Sequence, residues 1–297
     1  MHRQAYMLLL LTALFWAGNA IAGKLAVGHI SPLTLSVARW GVACALLSAA
    51  GWRHFRRDWF TIRNHLPLLA GLGFFGFTVF SVALYSALHF TTAINAAILQ
   101  AGMPAVIFVA NFLVFRMSVG VGQVAGFLLS LLGVALVVTA GNPLRLLLLD
   151  VNAGDALLIL AVAVYSGYSV ALRRKPNIHW MSFMIALTGA AFVTGLPFMA
   201  FEVAAGSFFW PDMRGWIILA AVAIFPSLLG QAFYVRGVGL IGANRAGLFI
   251  NLVPIFGTLL SIVILGERFA LHHALALALV LGGIWMAEHS GRKGAAR

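Results

Sequence analysis

The side chains that could do chemistry here are few, and they lie inside long apolar runs. Trp16 and Asn19 fall in the first run, Ser81 and Tyr85 in the third, and Asn95 and Gln100 in the fourth. Tyr165, Ser166 and Tyr168 fall in the sixth, Gln231 and Tyr234 in the eighth, and Asn244 and Asn251 in the ninth. An amide donates and accepts at once. Aromatic rings offer cation–π and stacking contacts to an ammonium or a flat side chain. A wall of both kinds suits a zwitterion such as an amino acid with an apolar or aromatic side chain. The same residue types also serve as interhelical hydrogen bonds and interfacial aromatics. Their pairing between the two halves of the chain favours the pocket. Arg39 is the one basic residue well inside an apolar run. A guanidinium facing lipid is costly, so it must face the bundle interior or a wet cavity. There it can attract a carboxylate, snorkel, or bind backbone carbonyls. Pro104 and Pro254 each sit near the middle of a run. Each should kink its helix and free a carbonyl, as a hinge or a cavity wall.

No catalytic constellation accompanies these residues. There is no HExxH, no GxSxG and no P-loop. His272 and His273 are adjacent, so they point to different faces of a helix and make a poor metal pair. Cys44, the one cysteine, has no partner for a disulfide or a metal site. The expectation is a protein that is not an enzyme and holds no metal or cofactor. Asp58, Asp150, Asp155, Asp212, Glu267 and Glu288 fall at run ends or in loops, and Glu202 lies near the end of the seventh run. A proton- or sodium-driven pump usually needs a carboxylate at the bilayer midplane, so this pattern leans toward uncoupled transport. Lys24 and Glu267, near outer ends, read as interfacial anchors or ion-pair partners.

The elements that must position these residues are membrane helices. The chain is 62% hydrophobic and 9% charged, with a mean hydropathy of +1.01. A soluble domain has nowhere to put that apolar surface. Runs such as LLLLLTALFWAG lack the alternation of a β-barrel strand. Spans are predicted at 5–23, 31–51, 66–89, 91–115, 120–140, 154–173, 180–204, 215–236, 243–265 and 270–288. Residues 51–65 then read as a basic loop lying on anionic headgroups. The first span could pass for a signal peptide. It is expected to be retained, because FWAGNAIAGKL (Phe15 to Leu25) matches VYSGYSVALRR (Val164 to Arg174) at an offset of 149 residues.

One set of alternate loops holds most of the basic residues: Arg3; Arg53, Arg56, Arg57 and Arg63; Arg116; Arg173, Arg174 and Lys175; Arg236 and Arg245; Arg292, Lys293 and Arg297. The other set holds only Lys24, Arg145, Arg214 and Arg268. That bias puts both termini in the cytoplasm, explains the net charge of +12 without nucleic acid, and requires an even number of spans. The expected fold is all-α and polytopic, with ten transmembrane helices as two inverted five-helix repeats, 1–144 and 145–297, forming one membrane domain. The offset places the neutral Thr188 opposite Arg39, so a site between the halves need not be symmetric. Inverted repeats make alternating access, and hence a transporter, the leading expectation.

The pattern resembles the drug/metabolite transporter superfamily, EamA type. The resemblance is carried by Phe15-Trp16-Ala17-Gly18-Asn19, by Pro32 and Arg39, by Pro254 followed by Gly266-Glu267, and by Gly282-Gly283. It covers nearly the whole chain. One departure is Arg116-Met117 in the first half, where the second has Gly266-Glu267. Within the superfamily the chain most resembles the YddG-like amino-acid exporters. That resemblance implies export of aromatic and other neutral amino acids across the bacterial inner membrane, with the lipid bilayer and a small-molecule substrate as partners. The alternative in the same superfamily is an exporter of drugs, nucleotide precursors or other metabolites.

Overall fold

In the computed structural model, residues 2–103, 106–107, 109–110, 121–142, 152–241 and 249–294 are described. Among them every regular element is helical. In chain order these are α1 (His2–Leu25), α2 (Pro32–Asn64), α3 (Leu66–Gly73), a first π segment (Phe74–Val79), α4 (Phe80–Ala87), α5 (Ala93–Ala101) and α6 (Val121–Val138). The second half gives α7 (Ala153–Ala171), a 3₁₀ turn (Leu172–Arg174), α8 (Trp180–Ala204), α9 (Met213–Val222), a second π segment (Ala223–Leu229), α10 (Gly230–Ile241), α11 (Val253–Leu265) and α12 (Leu271–Gly294). Among the described residues six continuous rods are long and apolar enough to cross a membrane: Arg3–Leu25, Pro32–Asn64, Leu66–Ala87, Ala153–Arg174, Trp180–Ala204 and Met213–Ile241. Three shorter apolar helices, Val121–Val137, Val253–Leu265 and Leu271–Met286, accompany them.

Two expectations about these elements change. The stretch 51–65 is not a loop. α2 continues unbroken to Asn64, because nothing between Gly51 and Asn64 stops a helix and the next proline, Pro67, lies in the first turn of α3. Pro254 does not sit mid-helix either. It lies in the first turn of α11, after a turn at Asn251 and Leu252 that separates α11 from the helical residues Phe249 and Ile250. A proline there costs no internal hydrogen bond.

α2 packs along α8, α6 along α12, and α5 against α11. α1 packs on α10 and α11, and α4 packs on α7. Close crossing depends on small residues, as expected where lipid removes the hydrophobic drive between helices. A Cβ on Gly283 would lie 2.4 Å from Gly126 O, and one on Gly133 would lie 2.8 Å from Ala276 O, so α6 and α12 touch backbone to backbone.

Carboxylates close the helix ends. Glu202, near the end of α8, accepts from Leu33 N and Thr34 N, both at 2.9 Å, and from Thr34 Oγ1 at 2.6 Å. It therefore satisfies first-turn donors of α2. Asp58, late in α2, returns the arrangement: its Oδ2 accepts from His179 N at 2.9 Å, at the start of α8. Glu267 caps α5 the same way, accepting from Ala93 N at 2.8 Å and Ile94 N at 2.9 Å. Each cap places a carboxylate on donors that the helix itself leaves orphaned. Lys24 serves the opposite kind of end, donating to Leu88 O and Thr91 O, both at 2.7 Å, just past α4. Glu267 and Lys24 thus act on helix ends rather than as a direct ion pair.

Candidate functional site

Arg39 organises the interior. α2 carries it inward beside Trp40, where it is 5% exposed. Its Nε donates to Ser227 Oγ of the second π segment at 2.8 Å. Its Nη1 donates to Asn19 Oδ1 of α1 at 3.0 Å and to the Tyr85 hydroxyl of α4. The Tyr85 hydroxyl in turn donates to Asn19 Oδ1 at 2.9 Å. The guanidinium carbon lies 4.3 Å from the centroid of the Trp40 ring, a cation–π distance. All of these partners are neutral. Among the described residues no carboxylate reaches within 4.0 Å of Arg39. Glu202, Glu267, Asp58, Asp155 and Asp212 are all engaged at helix ends. Nε and Nη1 of Arg39 therefore find neutral acceptors while its charge finds no carboxylate, which is a costly state for a buried cation.

The two π segments frame this group. They occupy corresponding places at the offset of 149 residues that aligns the halves, and so do Phe77 and Pro226 within them. The carbonyls of these two residues each accept an indole N–H: Trp40 Nε1 reaches Phe77 O at 3.2 Å, and Trp16 Nε1 reaches Pro226 O at 3.2 Å. π turns recur at functional positions because the wider turn changes which backbone groups are free. The local chemistry of the second is explicit. Pro226 has no N–H to give to Val222 O, four residues earlier. Ser227 Oγ donates to that carbonyl instead, at 2.7 Å, while accepting from Arg39. In the first segment, Thr78 stands at the corresponding position and donates to Ala191 O of α8 at 3.0 Å.

Aromatic rings line both sides. Trp40 stacks on Phe77 at 4.4 Å between centroids, Phe77 meets Tyr168 at 5.8 Å, and Tyr168 meets Tyr165 at 5.3 Å. Gly76 makes room for this, since a Cβ there would lie 2.3 Å from the Tyr168 ring. On the other side Trp16 lies 5.3 Å from Tyr234. An apolar groove of about 390 Å³ runs between α3 and α7, bounded by Pro67, Leu68, Phe75, Val164 and Tyr168. The structure thus offers a buried cation, neutral hydrogen-bonding groups and π faces together. That combination can hold a carboxylate beside an apolar or aromatic body.

The sequence-derived candidates divide. Trp16, Asn19, Tyr85, Tyr165, Tyr168, Tyr234 and Arg39 come together around this core, and Ser81 joins it by accepting from Trp40 Nε1 at 3.1 Å. Asn95 does not. It lies in the first turn of α5, where Nδ2 donates to Thr91 Oγ1 at 3.2 Å and faces Asp155, itself bound by Thr91 Oγ1 at 2.6 Å. Gln100 folds back on its own helix, donating to Ala96 O at 3.0 Å. Gln231 and Asn251 are half-buried, on α10 and at the turn before α11. Pro104 and Asn244 lie outside the described residues. Trp40, Ser227 and Pro226 were not singled out from the sequence. Pro226 beside a serine, at the position matching Phe77-Thr78, was the available signal. Among the described residues no group of His, Cys, Asp and Glu is arranged to hold a metal ion.

Comparison with known proteins gives a consistent picture. The model of the EamA-like transporter family matches residues 3–139 and, a second time, residues 152–287. The chain is similar to uncharacterized transporter YyaM of Bacillus subtilis, 23% identical over 97% of this chain and 94% of that one. It is similar to uncharacterized transporter YetK of the same organism, 26% identical over 95% of this chain and 86% of that one. It is also similar to the uncharacterized inner membrane transporter YicL of Salmonella typhimurium, 25% identical over 98% and 97% of the two chains. One solved crystal structure aligns over 98% of this chain and 99% of its own, with a TM-score of 0.64 and 22% identity, which speaks to the fold.

Proposed function

The chain belongs to the EamA-like transporter family, a multi-pass membrane protein, and from that premise we propose that it is an amino-acid carrier. Its cargo is aromatic and other neutral amino acids, exported across the bacterial inner membrane by alternating access. The observation that carries this reading is the buried Arg39, ringed by Asn19, Tyr85 and Ser227 and lacking a carboxylate partner among the described residues. A substrate carboxylate supplies the missing negative charge. The ring faces of Tyr168 and Trp16 suit the ammonium and the side chain. An apolar drug without an anion would gain nothing from the guanidinium.

The mechanism follows from the architecture in this reading: ten spans as two inverted repeats, 1–144 and 145–297, with both termini in the cytoplasm. The double match of the family model supports it. So do the two π segments at corresponding positions, each receiving an indole N–H. The pairings α2–α8, α6–α12 and α5–α11 join counterpart helices, and α1–α10 is the counterpart of α4–α7. A site between two such halves is reached from each side in turn as they exchange conformations. The described carboxylates sit at helix ends, which favours transport without ion coupling.

Counterflow in proteoliposomes tests the proposal. Vesicles loaded with unlabelled phenylalanine, tryptophan, methionine, threonine or a nucleoside are given labelled compound outside, with and without a proton gradient. Uptake driven by internal amino acids and indifferent to the gradient is expected. No response to any amino acid, with a response to the nucleoside, would overturn the substrate class. Uptake that needs the gradient would overturn the uncoupled mechanism.

A further inference from the structure

α2 is too long for the layer it crosses. Its 33 residues span about 50 Å at 1.5 Å each, against about 30 Å of hydrocarbon. The excess, residues 51–64, has two distinct faces. One packs inward: Gly51 and Ile62 are buried, Phe55 joins the core cluster, and Asp58 is turned onto the start of α8. The other faces out. Trp52, Trp59 and Phe60 are 53%, 51% and 76% exposed, and Arg53, Arg56, Arg57 and Arg63 are exposed between them. At 100° per residue these outward residues share one face of roughly 160°. The single acid in the stretch does little to offset their charge, since Asp58 lies 3.8 Å from Arg57 Nε and is otherwise spent on His179. Arg174 and Lys175 are exposed on the connector that this stretch packs against.

We propose that this outward face is a binding surface for anionic phospholipid headgroups, with the arginines on the phosphates and the interleaved rings in the boundary layer beneath them. Charge complementarity selects an anion, and the rings select its source. A soluble phosphate or a nucleic-acid backbone would leave Trp52, Trp59 and Phe60 standing in water. A headgroup layer takes up both kinds of side chain at once, as interfacial helices with basic and aromatic residues do. The remainder of α2 packs along α8, which joins this face to the rest of the bundle.

The test uses the purified full chain in detergent and native mass spectrometry. Phosphatidylglycerol and phosphatidylcholine of equal chain length are supplied together, and the retained lipid is counted. Wild type should retain phosphatidylglycerol in preference. The preference should fall about fivefold for each arginine replaced by glutamine and persist when arginine is replaced by lysine. If the combined R53Q/R56Q/R57Q/R63Q variant does not fold, R56Q and R63Q are read singly, each expected to lose about fivefold. Equal retention of the two lipids by wild type, or an unchanged preference in the glutamine variants, overturns the proposal. So does displacement of the lipid by inorganic phosphate or by a single-stranded oligonucleotide, which would reassign the surface. Amino-acid flux is not read, so the outcome is independent of the carrier assignment.

Discussion

Replacing Arg39 with glutamine separates a substrate role from a structural one. The guanidinium makes hydrogen bonds to Ser227, Asn19 and Tyr85, all neutral. Losing these three charge-assisted bonds costs about 4.5–9 kcal/mol at roughly 1.5–3 kcal/mol each. Removing a buried charge that has no ionic partner returns a similar amount. Folding stability should therefore move by only about 1 kcal/mol, a shift of a few degrees in Tm. Binding should move much further. Truncating one member of a desolvated charge pair costs about 2–5 kcal/mol, or roughly thirty- to several-thousand-fold in affinity. Arg39→Lys keeps the charge but loses the planar fork, and should fall between. The assay is phenylalanine counterflow, with phenylalaninol, which lacks the carboxylate, as competitor. Wild type should prefer phenylalanine strongly, and Arg39→Gln should treat the two nearly alike. Flux in Arg39→Gln within about threefold of wild type, or an unchanged preference for the carboxylate, would refute the reasoning.

Further outcomes follow from the same contacts. Glu202→Ala removes three hydrogen bonds to the first turn of α2 and should cost about 2–4 kcal/mol, read as a drop in Tm, with Glu202→Gln recovering part of it. Gly283→Ala drives a Cβ into Gly126 O and should destabilise by about 1–3 kcal/mol, while Gly282→Ala, whose Cβ meets only Leu129 at 3.9 Å, should be close to neutral in the same melt. Burial first, then the nearby His54 and Arg57, lower the affinity of His179 for a proton, against the pull of Asp58. The unfolded chain then takes up that proton more readily than the folded one. Tm should be insensitive to this group above about pH 6.5 and fall as pH drops below it, and His179→Asn should flatten that fall.

How much of this was legible in the sequence depends on the kind of signal. Arg39 was, because a lone arginine in an apolar run has few physical options. Asn19, Tyr85, Trp16 and Tyr168 were, because polar and aromatic residues inside apolar runs turn inward. Asn95 and Gln100 carry the same signature and yet serve other ends. Asn95 falls in the first turn of α5, where Thr91 and Asp155 engage it, and Gln100 reaches its own backbone. Periodicity cannot tell these cases apart, since both keep the side chain off lipid. Trp40 carries no mark of its own in the sequence, and its role is visible only with Phe77 O beside it. The π segments have no compositional mark beyond Pro226, because a widened turn uses the same residues as an ordinary one. The length of α2 is hidden in the sequence because a basic stretch marks the end of the hydrocarbon and leaves no mark of where the helix itself ends.

The mutual capping of α2 and α8 has a mechanical meaning. Glu202 pins the beginning of one helix and Asp58 the beginning of the other, and in an antiparallel pair those beginnings are opposite ends. Two rods fastened at both ends cannot slip along their common length without breaking a carboxylate from its amides. They can still tilt or roll as a single beam. Arg39 lies part-way along that beam, so its guanidinium keeps its place along the helix pair when the pair tilts or rolls. On the carrier reading proposed above, cargo crosses because the openings above and below it change places, not because its holder travels.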